Sequence, residues 1–300
     1  MEKIKVAIVG YGNIGRYVLE AVQEAPDFEL VGVIRRASSI SNNPLELGST
    51  KITSNLKELG KIEVAIICAP SREVPKIVPE ILSLGINTID SYDIHNNIWK
   101  LKNELDPLAK ANNAVAIISA GWDPGSDSIV RALFQAMAPR GLTFTNFGPG
   151  MSMGHSTAVK SIPGVKNAVS ITIPLGTGLH RRMVYIELAE GFSLDQVASS
   201  IKNDPYFIHD ETQVIQVQEV NKLIDMGHGV RMERKGVSGK SHNQLFEFKM
   251  KINNPALTAQ IMVSTARASK KQRPGCYTLI EIPIIDLLSG EREELIKNLV

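Results

Sequence analysis

Lys3-Ile-Lys-Val-Ala-Ile-Val-Gly-Tyr-Gly-Asn-Ile-Gly15 runs from an apolar, β-rich segment (Ile4, Val6, Ile8, Val9) into glycines at positions 10, 12 and 15, and a helix-compatible stretch, Arg16 to Glu24, follows. Three glycines at this spacing on their own mark no more than a tight turn. Set between a strand and a helix, they form the fingerprint of a dinucleotide cradle. Gly10 permits the turn, Gly12 lets a pyrophosphate approach bare backbone, and Gly15 lets the helix pack close to the strand. The helix N-terminus then offers its N–H groups to the phosphates. Phe28 to Ile34 reads as the next strand, and where an acid for the ribose 2′-OH would stand, about 20 residues past the last glycine, the chain has Arg35 and Arg36. Forked guanidinium donors suit a 2′-phosphate that a carboxylate would repel, so NADP is the expected cofactor. The competing reading of the two arginines is a solvated basic strand end.

The same grammar continues through residue 119. After Ala37 to Ser49, a Ser/Asn/Pro-rich surface loop, the continuous apolar runs Val64 to Ala69 and Ala114 to Ser119 and the shorter Thr88-Ile89-Asp90 read as buried parallel strands. Helical spacing over Glu73 to Leu84 and around Asn97 to Ala111 alternates with them. The expected fold class is α/β: a Rossmann-type, doubly wound parallel sheet with helices on both faces. In such a sheet the carboxyl ends of the strands line the ligand crevice. Ser71 and Arg72, the cluster Ser91-Tyr92-Asp93-Ile94-His95, and Trp122 and Asp123 inside Gly121-Trp-Asp-Pro-Gly125 all stand at such ends. Helix capping is the bland alternative for Ser71, Arg72 and Asp93.

The domain boundary is expected at Gly121 to Gly125, dividing the chain into residues 1–121 and 122–255, with 256–300 returning to the first domain. Ser126 to Met137 reads as a helix. Phe144 to Ser156, punctuated by Gly and Pro, reads as a loop able to wrap a ligand. Beyond it, Val169 to Pro174, Met183 to Leu188, Gln213 to Gln218 and Leu245 to Ile252 alternate apolar with polar residues, which predicts a mostly antiparallel, half-exposed sheet and a second, α+β domain. Helices over Leu194 to Lys202, capped by Ser193, and from Pro255 to about Lys270 are expected to cover one face of that sheet. The other face is left for a second subunit or a ligand. A last helix opens near Ser289 to Glu293.

With 300 residues, 43% hydrophobic, the chain has material for about two domains with sizeable cores. A net charge of +2, without a basic block, points to small-molecule partners and away from nucleic acid. Cys68 and Cys276 supply neither a disulfide framework nor a metal-ligand spacing, so no metal is expected. A cytoplasmic location is expected, since the N-terminus enters a strand directly and no uncharged stretch reaches the roughly 18 residues of a membrane helix.

Gly10-Tyr-Gly-Asn-Ile-Gly15, Arg35-Arg36, Asp90-Ser-Tyr-Asp93 with His95, Gly121-Trp-Asp-Pro-Gly125, Phe147-Gly-Pro-Gly150 with Gly154-His-Ser156, Ile162-Pro-Gly-Val165, Gly227-His228 and Asn254-Pro255 together resemble the meso-diaminopimelate D-dehydrogenases. The resemblance covers essentially the whole chain. It implies a homodimer that reversibly deaminates the D-centre of meso-2,6-diaminopimelate to L-2-amino-6-oxopimelate with NADP, a step of lysine and cell-wall precursor synthesis. Matched motif by motif, it places the cofactor on Gly10, Tyr11, Gly12, Asn13, Ile14, Gly15, Arg35, Arg36, Ala69, Pro70, Ser71, Arg72, Ser91, Tyr92, Asp93, Gly121, Trp122, Asp123, Pro124 and Gly125. The substrate falls to Asp93, Trp122, Asp123, Phe147, Met153, Gly154, Thr172, Arg182, His228 and Asn254. Asp93, then Asp123, is the expected acid-base group. His228 is read as a carboxylate ligand, with a proton shuttle as the alternative.

Two features depart from the family pattern: only Leu175 to Leu179 join two strands where a long insertion is common, and Met153 replaces a glutamine. Both imply a more open substrate pocket, with reductive amination of simple 2-oxo acids to D-amino acids as a further activity. Another NADP reductase of the dihydrodipicolinate type, or a silent NADPH-binding sensor, are the competing readings.

Overall fold

The computed structural model describes residues 2–40, 44–225 and 227–300, and the chain forms two compact units, Met1–Ile129 with Pro255–Val300, and Val130–Asn254. The division falls inside the helix 126–137, eight residues beyond the Gly121 boundary expected from the turn. Of the loop expected at 37–49, residues 41–43 lie outside the described residues; two short 3-10 turns, Ala37–Ser39 and Leu45–Leu47, occupy part of the remainder.

The first unit starts as β1 (Ile4–Val9), α1 (Asn13–Glu24), β2 (Phe28–Ile34), β3 (Ile52–Thr53), β4 (Val64–Ile67), α2 (Val74–Leu82), β5 (Asn87–Asp90), α3 (Ile98–Ala111) and β6 (Val115–Ile118). From there α4 (Ser126–Met137) leads into the second unit: β7 (Arg140–Phe147), β8 (Gly150–Met151), α5 (Met153–Lys160), β9 (Val165–Gly176), β10 (Leu179–Leu188), α6 (Leu194–Lys202), β11 (Glu211–Gln216), β12 (Gly227–Ser238) and β13 (Ser241–Asn253). The chain returns with α7 (Asn254–Ser269), β14 (Gly275–Thr278) and α8 (Arg292–Leu299).

In the first unit the strands pair in parallel in the order β3-β2-β1-β4-β5-β6-β14. Strands covered on both faces need apolar side chains at every position, and β4 shows it: Val64 and Ile66 enter the core beneath α1 and α7, Ala65 and Ile67 the one beneath α2 and α3. Each fully buried side chain of this size contributes about 1.5–3 kcal/mol. Helix α7 belongs to this unit, with Ala259, Met262, Val263 and Ala266 in the first of those cores, and so does not cover the antiparallel sheet as expected. The order in which strands are added reverses between β1 and β4, the topological switch point where ligands bind in such sheets.

The second unit carries two sheets instead of one, β11-β10-β9-β8 and β13-β12-β7. Pairing is antiparallel throughout except for the parallel β10 and β11. Helices α5 and α6 cover the four-stranded sheet through Ala158, Val159, Val197 and Ile201, packed on Val184 and Ile186. Residues 144–156 are not a loop: Phe144–Phe147 lies in β7, Gly150 and Met151 pair with Thr172 and Ile171, and α5 starts at Met153. The Leu175–Leu179 connection is also tighter than its length suggests. β9 runs on to Gly176, and Thr177 (φ +52) and Gly178 (φ +81) make a two-residue hairpin turn of the primed kind that matches strand twist.

Candidate active site

The glycine turn after β1 separates three roles. A Cβ on Gly10 (φ +95) would stand 2.7 Å from the carbonyl oxygen of Cys68 at the end of β4, and one on Gly15 would stand 2.5 Å from the Gly10 oxygen. Packing within the protein accounts for both. A Cβ on Gly12 would meet nothing within 4 Å, so its backbone is bare on the open side of the turn. Gly12 is also the N-cap of α1, without a side-chain cap and with no acid in the first turn. The first-turn N–H groups and the helix dipole are thereby available to an anion. At the end of β2 the Arg35 guanidinium lies 5.8 Å from the centroid of the Tyr11 ring, while Arg36 is exposed. Burial, then the Glu46 carboxylate, pushes the Tyr11 hydroxyl up to about 12, so it stays neutral. These residues fit NADP: a bare pyrophosphate cradle, an uncapped helix start and two guanidinium groups where NAD would call for an acid.

At the ends of β5 and β6, one buried carboxylate ties two turns together. Asp90 Oδ1 accepts the backbone N–H of Tyr92 (2.9 Å) and of Ser119 (3.2 Å), and the Asp90 carbonyl accepts from Ala120 N (2.7 Å). Three residues on from Asp90 stands Asp93, whose Oδ1 accepts from Ser71 Oγ (2.6 Å) while its N–H donates back to that hydroxyl (3.1 Å). Ser71 therefore orients Asp93 as well as lying at the end of β4. Beyond Ser119, Gly121 to Gly125 closes on itself: Gly121 N donates to the Pro124 oxygen (3.1 Å), and a Cβ on Gly125 would sit 1.8 Å from the Gly121 oxygen. That closure buries Trp122 and leaves Asp123 partly exposed. Asp90 itself is fully buried, and burial pushes its carboxyl up to about 7.

In the second unit, β9 and β10 place Thr172 opposite Arg182, and the guanidinium Nη1 donates to Thr172 Oγ1. Its Nε donates to Asp210 Oδ2 at 2.6 Å. On the same face of β10, His180 Nε2 accepts the Phe147 N–H (2.9 Å), with the two rings 5.6 Å apart. His228 is buried on β12. Burial, with smaller contributions from Arg182 and His180, holds His228 down to about 4, and burial and Arg182 also lower His180. His228 Nδ1 lies 3.1 Å from the Gly229 oxygen as well as 2.7 Å from its N–H, so in the neutral ring the tautomer decides which of the two it meets. Asn254 Nδ2 donates to the Met151 oxygen (3.1 Å), and Met153, at the start of α5 beside Gly154, packs on Met151, Val169 and Val220.

Thr172, Arg182, Phe147 and His228 thus share one polar neighbourhood within the second unit. Asp90, although part of a quoted motif, and His180 and Asp210 were not among the site residues expected from sequence. His180 was within reach, because it alternates with Arg182 on one strand face. Asp90 and Asp210 act through strand neighbours that local pattern does not specify. Among the described residues no group of three or more His, Cys, Asp or Glu is placed to hold a metal ion, and no helix is long and apolar enough to cross a membrane.

Two family models match the chain: an oxidoreductase family with NAD-binding Rossmann fold over residues 4–92, and the diaminopimelic acid dehydrogenase C-terminal domain over 121–181. Over the full length of both chains it is 63% identical to the meso-diaminopimelate D-dehydrogenase of Bacteroides fragilis. Among solved structures it resembles the C. glutamicum DAP dehydrogenase in complex with DAP (TM-score 0.89, 28% identity, all of both chains). An engineered D-amino acid dehydrogenase bound to NADP+ is equally similar (TM-score 0.89, 27% identity, 99% of this chain and all of the other). Alike along its whole length to a curated member at 63% identity, the chain belongs to the meso-diaminopimelate D-dehydrogenase family.

Proposed function

We propose that the chain oxidises the D-centre of meso-2,6-diaminopimelate with NADP, releasing L-2-amino-6-oxopimelate and ammonia, and runs the reverse amination, as part of lysine and cell-wall precursor synthesis. The observation that carries this reading is the pair of acids, Asp93 and Asp123, on two turns anchored to one buried carboxylate at adjacent strand ends. Gly10 to Gly15, Arg35 and Arg36, Ala69 to Arg72, Ser91 to Asp93 and Gly121 to Gly125 would hold NADP. When bound, NADP takes up the hydride from the D-carbon.

The residues' work is with protons and charge. The substrate ammonium must lose a proton before the carbon can give up its hydride, and Asp93, oriented by Ser71, accepts it. Water then adds to the imine carbon, and the nitrogen leaves as ammonia; a carboxylate at that carbon removes the water's proton. Asp123 is the second acid for this step. In the other unit, Arg182, Thr172, His228 and Asn254 supply donors suited to a substrate carboxylate, with Phe147, Met153 and Gly154 beside them. The flexible thioether of Met153 leaves room for detectable amination of simple 2-oxo acids to D-amino acids. A homodimer in the cytoplasm completes the reading.

NADPH formation from the three diaminopimelate isomers tests it. The meso isomer should be the best substrate and the LL isomer, which has no D-centre, should give nothing. A wild-type enzyme that is inert towards the meso isomer, or equally active on LL, would overturn the reading.

A further inference from the structure

Several unfavourable features meet at one point of the first unit. Ser119, buried at the end of β6, sits at φ +56, a left-handed conformation that residues with a side chain seldom adopt. Asp90 beside it is fully buried, pairs with no lysine or arginine among the described residues, and leaves its Oδ2 without a partner. Ser119 Oγ and Thr88 Oγ1, the latter two residues back on the same face of β5, are buried and unpartnered as well. Strain and unmet polar groups of this kind persist where the surrounding structure over-determines them, and they gather at functional sites.

The other oxygen of Asp90 shows what is being held. Oδ1 accepts from Tyr92 N two residues on, closing an Asx turn that directs the chain towards Asp93, and from Ser119 N across the sheet. With the Asp90 carbonyl accepting from Ala120 N, Ser119 is gripped on both sides of its left-handed backbone. From Ala120 the chain enters Gly121 to Gly125, which is closed on itself between Gly121 N and the Pro124 oxygen and so moves as one body with Asp123 inside it. A single oxygen atom therefore sets the aim of both acids. Asp123 depends on it more completely, because Ser71 also holds Asp93. With no cation on the carboxyl, the service is one of position and not of charge. We propose that Asp90 is a positioning residue of the reaction, fixing through Oδ1 the spacing of Asp93 and Asp123 about the reacting centre of the substrate. This rests on the function proposed above and extends it to a fully buried residue that acts through its neighbours.

Two substitutions separate position from charge. Asp90→Asn keeps an oxygen at the Oδ1 site and removes the charge, whereas Asp90→Glu keeps the charge and carries the oxygens one bond further from β5. With meso-diaminopimelate, kcat should stay within about threefold of wild type in Asp90→Asn and fall roughly 10- to 100-fold in Asp90→Glu, the loss that about 1 Å of misplacement produces. NADPH affinity, from fluorescence titration, should change by less than about fivefold in both, since the turn at Gly12 and the two arginines are untouched; binding also shows that each protein is folded. Asp90→Ala, which removes the anchor without adding volume, replaces Asp90→Glu if that protein does not fold. In the background of the impaired variant, Asp123→Asn and Asp93→Asn should each cost less than in wild type, by about threefold or more and most for Asp123, because an acid already out of place has less to lose. Costs that simply multiply would make Asp90 a structural residue only and overturn the proposal. So would full activity in Asp90→Glu, or a loss beyond about tenfold in Asp90→Asn, an arm that can overturn it alone. Failure of the underlying functional reading looks different, since the wild type itself would then be inert towards the meso substrate.

Discussion

The Arg35 guanidinium lies over the ring of Tyr11, the residue before Gly12, and Arg36 follows it in the open. Charge-assisted hydrogen bonds contribute about 1.5–3 kcal/mol each, so one or two of them to a 2′-phosphate correspond to a preference for NADP over NAD on the order of tenfold to a thousandfold in kcat/KM. Replacing both arginines with alanine should remove most of that preference. Parallel kinetics with the two cofactors check it, and a wild type indifferent to the choice would disprove the assignment. Asp93 poses a separate question, because Asp93→Asn keeps the size and the acceptor for Ser71 Oγ while removing the basic site. Turnover should drop by roughly 10² to 10⁴ with NADPH affinity nearly unchanged. Near-normal kcat in that variant would transfer the role to Asp123.

The β1-turn-α1 element makes a contrast between two glycines that look alike in sequence. Gly12→Ala adds a methyl group where nothing lies within 4 Å and where φ is −111°, so neither clash nor strain arises. Its melting temperature should stay close to wild type, while NADP affinity falls by about tenfold or more, because the methyl occupies the approach of the pyrophosphate. Gly15→Ala instead drives a Cβ to 2.5 Å from the Gly10 oxygen, forcing α1 away from β1. That variant should lose stability, by about 1–3 kcal/mol, the usual cost of overpacking. Melting curves and cofactor titration on the two proteins separate the cases; a Gly12→Ala protein that binds NADP normally would remove the pyrophosphate from this turn.

Two buried or half-buried acids give stability opposite slopes with pH. Asp27, hydrogen-bonded to Arg267 of α7, is held below the usual carboxylate range, so its contribution is present above the unfolded-state value and is lost as pH falls through the folded one. Asp90 runs the other way. Its folded-state value of about 7 lies above that of the unfolded chain, so the favourable neutral form is fully present at low pH and is lost as pH rises to about 7. Three pH units at about 1.4 kcal/mol each make this roughly 4 kcal/mol. Asn imitates the neutral acid and keeps the acceptor for Tyr92 and Ser119, so Asp90→Asn should match wild type near pH 4 and exceed it by a margin that grows up to about pH 7 and then levels off. A stability gap that does not change with pH would show that Asp90 is neutral or ionised throughout. The reach of Asp27 and Asp90 beyond their own elements also shows where reading the chain succeeds and where it stops. The first unit was legible because its determinants are local: strands covered on both faces are continuous apolar runs, and the turn at Gly10 to Gly15 depends on residues adjacent in the chain. Residues 144–156 were misread as a loop because Gly148, Pro149 and Gly150 interrupt the pattern of β7 and β8, whose partners Val230 and Thr172 lie far along the chain. Helix α7 likewise follows the antiparallel strands in sequence and yet buries its apolar face in the parallel core. Asp93 and Asp123 stand out in the sequence as acids at strand ends, whereas Thr172, Arg182, His228 and Asn254 enter only through the family resemblance. That Asp90 ties two turns, and that Asp210 meets Arg182, depends on which strands lie side by side and in what register, and side-chain chemistry along one strand does not specify its neighbour.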